Sequence, residues 1–243
     1  MQKVSVTLSR FLFFAILVGG TASGGVVTPY ALECEARGNP LGIDAARPRL
    51  SWKLKAEGRG ERQTAYQVLV ASAPAKLAPG RADLWDSGHV ASAGTAWIEY
   101  GGARLRSFQR YWWKVRVWNA AGAESGWSEP AEWTAGVLDR EQWSGTWISA
   151  PNPVLRAGPL PIFRKEINIE RPLRRAFAVV SGAGFYELRI NGKKVGDHVL
   201  APAWTNYRQT TLYETFDVTA LLKPGANALA ALLGNGFYNV AGG

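Results

Sequence analysis

Few side chains in this sequence have the type and spacing to carry out a reaction. The single cysteine, Cys34, lies inside the strand-like run YALECE, and the two histidines, His89 and His198, are remote from it in sequence. A thiol nucleophile needs a base at its side, so thiol catalysis is not expected. The histidines also lack the close spacing that zinc ligands use, and a zinc site is not expected. The acidic residues that stand out are Asp86, Glu124, Glu129, Asp139, Asp197 and Asp217, and most sit beside Gly, Ser, Thr or Pro. Carboxylates in that company usually serve caps and turns, and nothing announces the paired acid and base of a hydrolase. The aromatic residues are the richer resource: 11 Trp, 8 Tyr and 9 Phe. Such side chains favour strands, and they also offer flat faces to sugars.

Composition bounds the elements that must position these groups. The 243 residues are 47% hydrophobic and 19% charged, ordinary globular values that allow about two domains. Gly (27) and Pro (13) are spread along the chain, and no apolar stripe of helical period persists over several turns, so the sequence reads as all-β. With one cysteine no intramolecular disulfide can form, and core packing must hold the modules. The formal charge of +9 comes from Arg and Lys scattered among apolar alternation. A nucleic-acid binder would cluster that charge on one motif, so no nucleic-acid partner is expected.

Residues 1–24 read as a secretory signal peptide. Lys3 and Arg10 precede the apolar run Phe11 to Val18, and the small-residue stretch GGTASGG offers cleavage after Ala22 or nearby. Eight apolar residues are too few to cross a bilayer, for which about 20 are needed, and no longer apolar run follows. The expectation is an exported protein, periplasmic or extracellular, with no membrane span after cleavage.

Residues 27–137 form a succession of short alternating runs: YALECE, RLSWKL, AYQVLVAS, LWDSG, WIEY, YWWKVRVW and PAEWTAG. Seven strands separated by turn residues predict a β-sandwich. In the strongest run, Tyr111, Trp113, Val115 and Val117 should face the core. Trp112, Lys114, Arg116 and Trp118 should face out, with the two tryptophans making contacts between domains. Residues 138–161 read as a linker, with Trp143 and Trp147 expected to pack between modules and prolines at 151, 153, 159 and 161 barring a central strand. From 162 to 243 alternation resumes. Asn191-Gly192 predicts a tight hairpin, and the segment from Asp217 to Gly225 predicts one short helical turn capped by Asp217 or Thr219.

The first module resembles a fibronectin type III domain through Trp52, the Y-x-x-K-V-R-V-W-N-x-x-G strand and turn, and W-S-E-P before the final strand. The second resembles the jelly roll near the N-terminus of bacterial α-L-rhamnosidases of glycoside hydrolase family 78. It carries Y-E-L-R-I-N-G-K-K-V-G-D-H-V-L (186–200), P-A-W-T-N-Y (202–207), L-Y-E-T-F-D-V-T-A-L-L (212–222), G-A-N-A-L (225–229) and L-G-N-G-F-Y-N (233–239). In the first module N-P-L-G-I-D (39–44), P-R-L-S-W (48–52), R-Q-T-A-Y-Q-V-L-V-A-S (62–72), L-W-D-S-G (84–88) and Q-R-Y-W-W-K-V-R-V-W (109–118) resemble the segment preceding that jelly roll. The resemblance therefore implies two tandem β-sandwiches, the second an incomplete jelly roll like a carbohydrate-binding module. It implies an enzyme that removes terminal rhamnose from glycans or glycosides with inversion. Its catalytic carboxylates lie in a C-terminal helical barrel that this chain does not reach, so no catalytic residue is assigned here. Inverting hydrolysis needs two carboxyl groups about 6.5–9.5 Å apart, and none is evident.

Some jelly rolls of this type bind rhamnose at a loop-built site with calcium, and the resemblance makes one loop a candidate. It runs from Gly196 through Asp197 and His198 to Trp204, Asn206 and Tyr207, joined by Asn235 and Tyr238. Asp197 is the candidate calcium ligand; no other cofactor is expected. The competing reading has Trp204 and Tyr207 as packing residues and Asp197 as a turn cap. Two other function classes stay open. A family 2 glycosidase shares the N-G-K hairpin and the D-V-T-x-L-L pattern, though the fibronectin-like module and L-G-N-G-F-Y argue against it. A non-enzymatic carbohydrate-binding or adhesion protein is the other.

Overall fold

The computed structural model describes residues 25–150 and 160–238. The signal-peptide segment, prolines 151, 153 and 159 and the last five residues lie outside the described residues. The regular secondary structure described is almost entirely strand, as the alternation predicts.

The first module holds nine strands: β1 (Val27–Cys34), β2 (Leu41–Ile43), β3 (Arg49–Ala56), β4 (Gln63–Ala71), β5 (Trp85–Asp86), β6 (Val90–Ala91), β7 (Ile98–Glu99), β8 (Arg110–Asn119) and β9 (Ala131–Ala135). One sheet has the order β1-β3-β7. The other runs β2-β9-β8-β4-β5, with β6 also on β4. The two strands beyond the predicted seven, β2 and β6, are short. β2 joins β9 in the parallel sense, a pairing between remote segments that no local pattern could reveal.

β8 carries the module. Its residues alternate strictly between buried and half-buried, with Tyr111, Trp113, Val115 and Val117 inside. Register against β4 sets Val68 opposite Val115 and Val70 opposite Trp113. Trp113, Trp133, Tyr100, Leu50 and Trp52 close the core from both sheets. The Trp52 indole N–H donates to Gln63 Oε1 at 3.0 Å, and the Gln63 amide donates to the carbonyls of Ser92 and Gly94, so this buried amide is satisfied.

The other face of β8 differs from expectation. Trp112 and Trp118 belong to a ladder of cations and rings on the first module's own surface. Arg116 lies 5.0 Å from the Trp118 ring and 4.8 Å from Trp127, Lys114 lies 4.7 Å from Trp127, and Arg110 lies 5.9 Å from Trp112. The spacing of alternate residues along a strand places each cation beside an indole, and the attraction of ring face for cation does the rest. Glu124 pairs with Arg116, and His89 packs on Trp118.

The second module comprises β10 (Ile162–Ile169), β11 (Phe177–Ser181), β12 (Phe185–Ile190), β13 (Lys193–Lys194), β14 (Tyr213–Asp217) and β15 (Gly225–Gly234). Four strands form the order β10-β15-β12-β13, and β11 pairs β14 in a second, two-stranded sheet. Leu188, Ile190, Val195 and Val218 form its small core. Asn191 and Gly192 both have positive φ, 51° and 81°, and turn β12 into β13 as their types require. Asp217 Oδ1 accepts from the backbone N–H and hydroxyl of Thr219 in the turn leading into the one-turn helix Thr219–Leu221, whose N-cap position is Val218, with no side-chain cap, instead of the expected Asp217 or Thr219.

The modules meet along β14. The Tyr213 hydroxyl accepts from the Val137 N–H at 3.2 Å and lies where a side chain at Gly136 would have to go, 2.7 Å from the position of a Cβ there. Phe177 stacks on Phe108 at 6.2 Å, and Arg175 reaches Thr134 Oγ1. As expected for the linker, Trp143 packs against the second module, 5.6 Å from the Tyr213 ring; Trp147 is two-thirds exposed.

Two outcomes follow from this packing. Trp113→Ala should lower the stability of the first module by about 3–5 kcal/mol, since it empties the centre of the core. Trp112→Ala, one residue away on the outer face, should cost about 1–2 kcal/mol; equal losses in denaturant titrations would contradict the alternation. Burial pushes the Cys34 thiol up to about 12, with Glu35 adding to the effect. A raised pKa keeps the thiol protonated at all lower pH, so Cys34 should resist a disulfide reagent at about pH 8 and react fully once the chain is unfolded.

Candidate functional site

The candidate loop connects β13 to β14, and its base is fixed by one carboxylate. Glu214, on β14, accepts from the Tyr186 hydroxyl through Oε2 and bonds His198 Nδ1 through Oε1, both at 2.5 Å. Tyr186 lies on β12, so Glu214 ties the two sheets of the module to the loop. Burial raises the Tyr186 hydroxyl pKa, and the Glu214 carboxylate raises it further, which keeps the phenol a donor. His198 rests 5.7 Å from the Phe216 ring, its carbonyl accepts from Lys194 Nζ, and the Tyr186 N–H donates to Ala201 O.

The loop's far half is shaped by Asn206. Its carbonyl accepts from the N–H groups of Gln209 and Thr210, and its Oδ1 accepts from Arg208 N, so this side chain and carbonyl build the turn. Trp204 packs 5.7 Å from Phe237, and Tyr207 packs edge-on 5.4 Å from Tyr238. The segment holding Phe237 and Tyr238 is brought there by Gly184, whose φ is +116°. A Cβ at Gly184 would lie 2.7 Å from the carbonyl oxygens of Gly234 and Asn235. The outcome is two ring pairs, in which Trp204 (65%), Phe237 (57%) and Tyr238 (60%) remain exposed.

Of the residues singled out from sequence, Trp204, Tyr207 and Tyr238 thus take part in these two ring pairs, and Asn206 builds the turn beside Tyr207. Asn235 contributes its backbone to the Gly184 contact. Asp197 stands beside His198 at the base of the loop, with its side chain fully exposed. Phe237 and Glu214 were not singled out. Phe237 stands next to Tyr238 in G-N-G-F-Y and could have been included, whereas the role of Glu214 depends on which strands face each other.

Calcium takes six to eight oxygens, and among the described residues no group of three or more His, Cys, Asp or Glu converges. Glu214, the neighbouring carboxylate, is committed to Tyr186 and His198.

Three further acids, Asp83, Asp217 and Glu35, are held by hydrogen bonds and neighbouring charge. Burial works upward on Asp83, but hydrogen bonds from Lys76 and Ser72 outweigh it and hold the carboxyl down at about 2. Burial is likewise outweighed at Asp217 by the Thr219 bonds and the charges of Arg175 and Arg110, and Glu35 is lowered by its hydrogen bonds from Arg49. A general acid needs its pKa raised; these three move the other way. Among the described residues no helix is long and apolar enough to cross a membrane.

Comparison with known proteins agrees with this picture. The family described as "Rha78A-like, N-terminal immunoglobulin domain" matches residues 29–139, and "Alpha-L-rhamnosidase N-terminal domain" matches residues 171–243. The first description is immunoglobulin where the sequence suggested fibronectin type III, two names for related sandwich architectures. A curated α-L-rhamnosidase of Formosa agariphila is 39% identical over 224 residues, which cover 84% of this chain and 24% of that protein. The solved α-L-rhamnosidase from Dictyoglumus thermophilum superposes with a TM-score of 0.82 at 36% identity, over 89% of this chain and 26% of that one. The one from Aspergillus terreus gives 0.74 at 30% identity, over 88% and 24%. The chain therefore spans about a quarter of the length of the relatives it matches. Two modules matched in order, and relatives that run through both, place the chain: it belongs to the α-L-rhamnosidases of glycoside hydrolase family 78, as an N-terminal region.

Proposed function

We propose that this region is the scaffold of an exported enzyme that removes terminal α-L-rhamnose from glycans or glycosides with inversion, the chemistry residing in a C-terminal helical barrel beyond residue 243. One observation carries the reading: the matched rhamnosidases are about four times longer than this region. The scaffold reading also accounts for the Tyr213 joint, which gives the two sandwiches a defined relation to each other. The basic, apolar and small-residue pattern of residues 1–24 supports export to the periplasm or the medium.

A second role, rhamnose binding at the loop, is supported by the exposure of Trp204 and Tyr238, since indole and phenol faces stack on the C–H faces of sugars. The pairing of Trp204 with Phe237 and of Tyr207 with Tyr238 favours packing for part of that surface. In calorimetry with methyl α-L-rhamnoside, the combined change Asp197→Ala and Trp204→Ala should abolish binding if the loop is the site; unchanged affinity would remove it.

The scaffold reading is tested by rhamnose release from p-nitrophenyl α-L-rhamnoside. The 243-residue chain should be silent and a product extended through the downstream reading frame active. Turnover by the short chain would mean a catalytic site within it, and silence of both would shift the weight to a binding or adhesion role.

A further inference from the structure

Between the modules lies a cleft of about 570 Å³ with largely apolar walls. Val179 and Val180 of β11 and Tyr213 of β14 line it from the second module, and Asp44 and Val137 from the first. The segment from Arg140 to Ile148 supplies the remaining wall with Trp143 and Trp147. We propose that this cleft binds a neutral pyranoside ring, stacked on Trp147 and held at its hydroxyls by Asp44 and Arg140.

Three observations select that ligand class. First, Trp147 is 67% exposed at the wall of a concave site and, among the described residues, has no ring or cation partner, unlike the tryptophans of the β8 ladder. An open indole face in a cleft suits the C–H face of a sugar. Second, the cleft carries polar groups with bonds to give. The Arg140 guanidinium has no ion pair among the described residues, and the Asp44 carboxylate lies beside the Tyr213 hydroxyl at the cleft wall. A guanidinium is a fork of donors and a carboxylate accepts two bonds side by side, so each fits a vicinal diol. Third, the two charges are opposite. An anion would meet Asp44 and a cation would meet Arg140, whereas a neutral polyol can satisfy both. The cleft also exceeds one sugar ring in size, which leaves room for a linked residue or aglycone.

The cleft takes Thr211 from the end of the β13–β14 connection but is lined by none of Asp197, Trp204, Asn206 or Tyr207, and the two sites answer to different variants. Methyl pyranosides, with methyl α-L-rhamnoside first, are titrated into the 243-residue chain while the indole N–H resonances are followed by NMR. Trp143 and Trp147 should shift with a common dissociation constant. Trp147→Ala and Asp44→Asn should each weaken binding about tenfold, the equivalent of about 1.4 kcal/mol. Trp204→Ala should leave the cleft constant unchanged. Both cleft substitutions are at exposed side chains, and an unaltered melting temperature verifies that the variants fold. Shifts confined to Trp204 and its neighbours, or no shift of Trp143 and Trp147 with any pyranoside, would overturn the assignment.

Discussion

The contact on which the arrangement of this region depends is that of Tyr213 with the end of the first module. β9 ends at Ala135, and the next residue, Gly136, has no side chain, which lets a tyrosine from another sheet come within hydrogen-bonding distance of the Val137 N–H. The same tyrosine starts β14, whose next residue, Glu214, holds Tyr186 and His198. One short strand therefore fixes the module to its neighbour through one residue and fixes the candidate loop through the next. The Phe108–Phe177 stack and the Arg175–Thr134 bond widen the contact, and the cleft is the space left where the linker passes over it.

The chain's polar chemistry is spent on holding this form. Carboxylates cap turns, tie sheets or pair with arginines, and those whose titration is displaced move toward stronger acids. Catalytic acids require the reverse, burial without compensation. With one thiol and no disulfide, stability rests on packed aromatic residues, and the density of tryptophan has two uses: Trp113 and Trp133 fill a core, and Trp112, Trp118 and Trp127 alternate with cations on a surface.

Much of this was legible in the sequence where the determinant is local. The alternation of β8, the Asn191-Gly192 hairpin and the short helical turn after Asp217 each follow from neighbours within a few residues. The rest depends on contacts between remote segments. β2 forms only because β9 is there to pair with it in parallel, and the cations that occupy Trp118 and Trp127 come from the same face but not from an obvious motif. Trp112 and Trp118, expected at a contact between domains, find their cation and ring partners within the first module. Glu214 was invisible because a carboxylate in a strand declares nothing until its opposite strands are known. The candidate loop was legible in part: the family resemblance pointed to it, but the pairing of Trp204 with Phe237 needed the fold.

The central claim is that the Tyr213 contact makes the two sandwiches one body. Residual dipolar couplings of backbone N–H groups, measured on the 243-residue chain in a weakly aligning medium, test it most directly. The account predicts that a single alignment tensor fits the couplings of both modules in the arrangement described. Two tensors of different magnitude, each fitting only its own module, would contradict it.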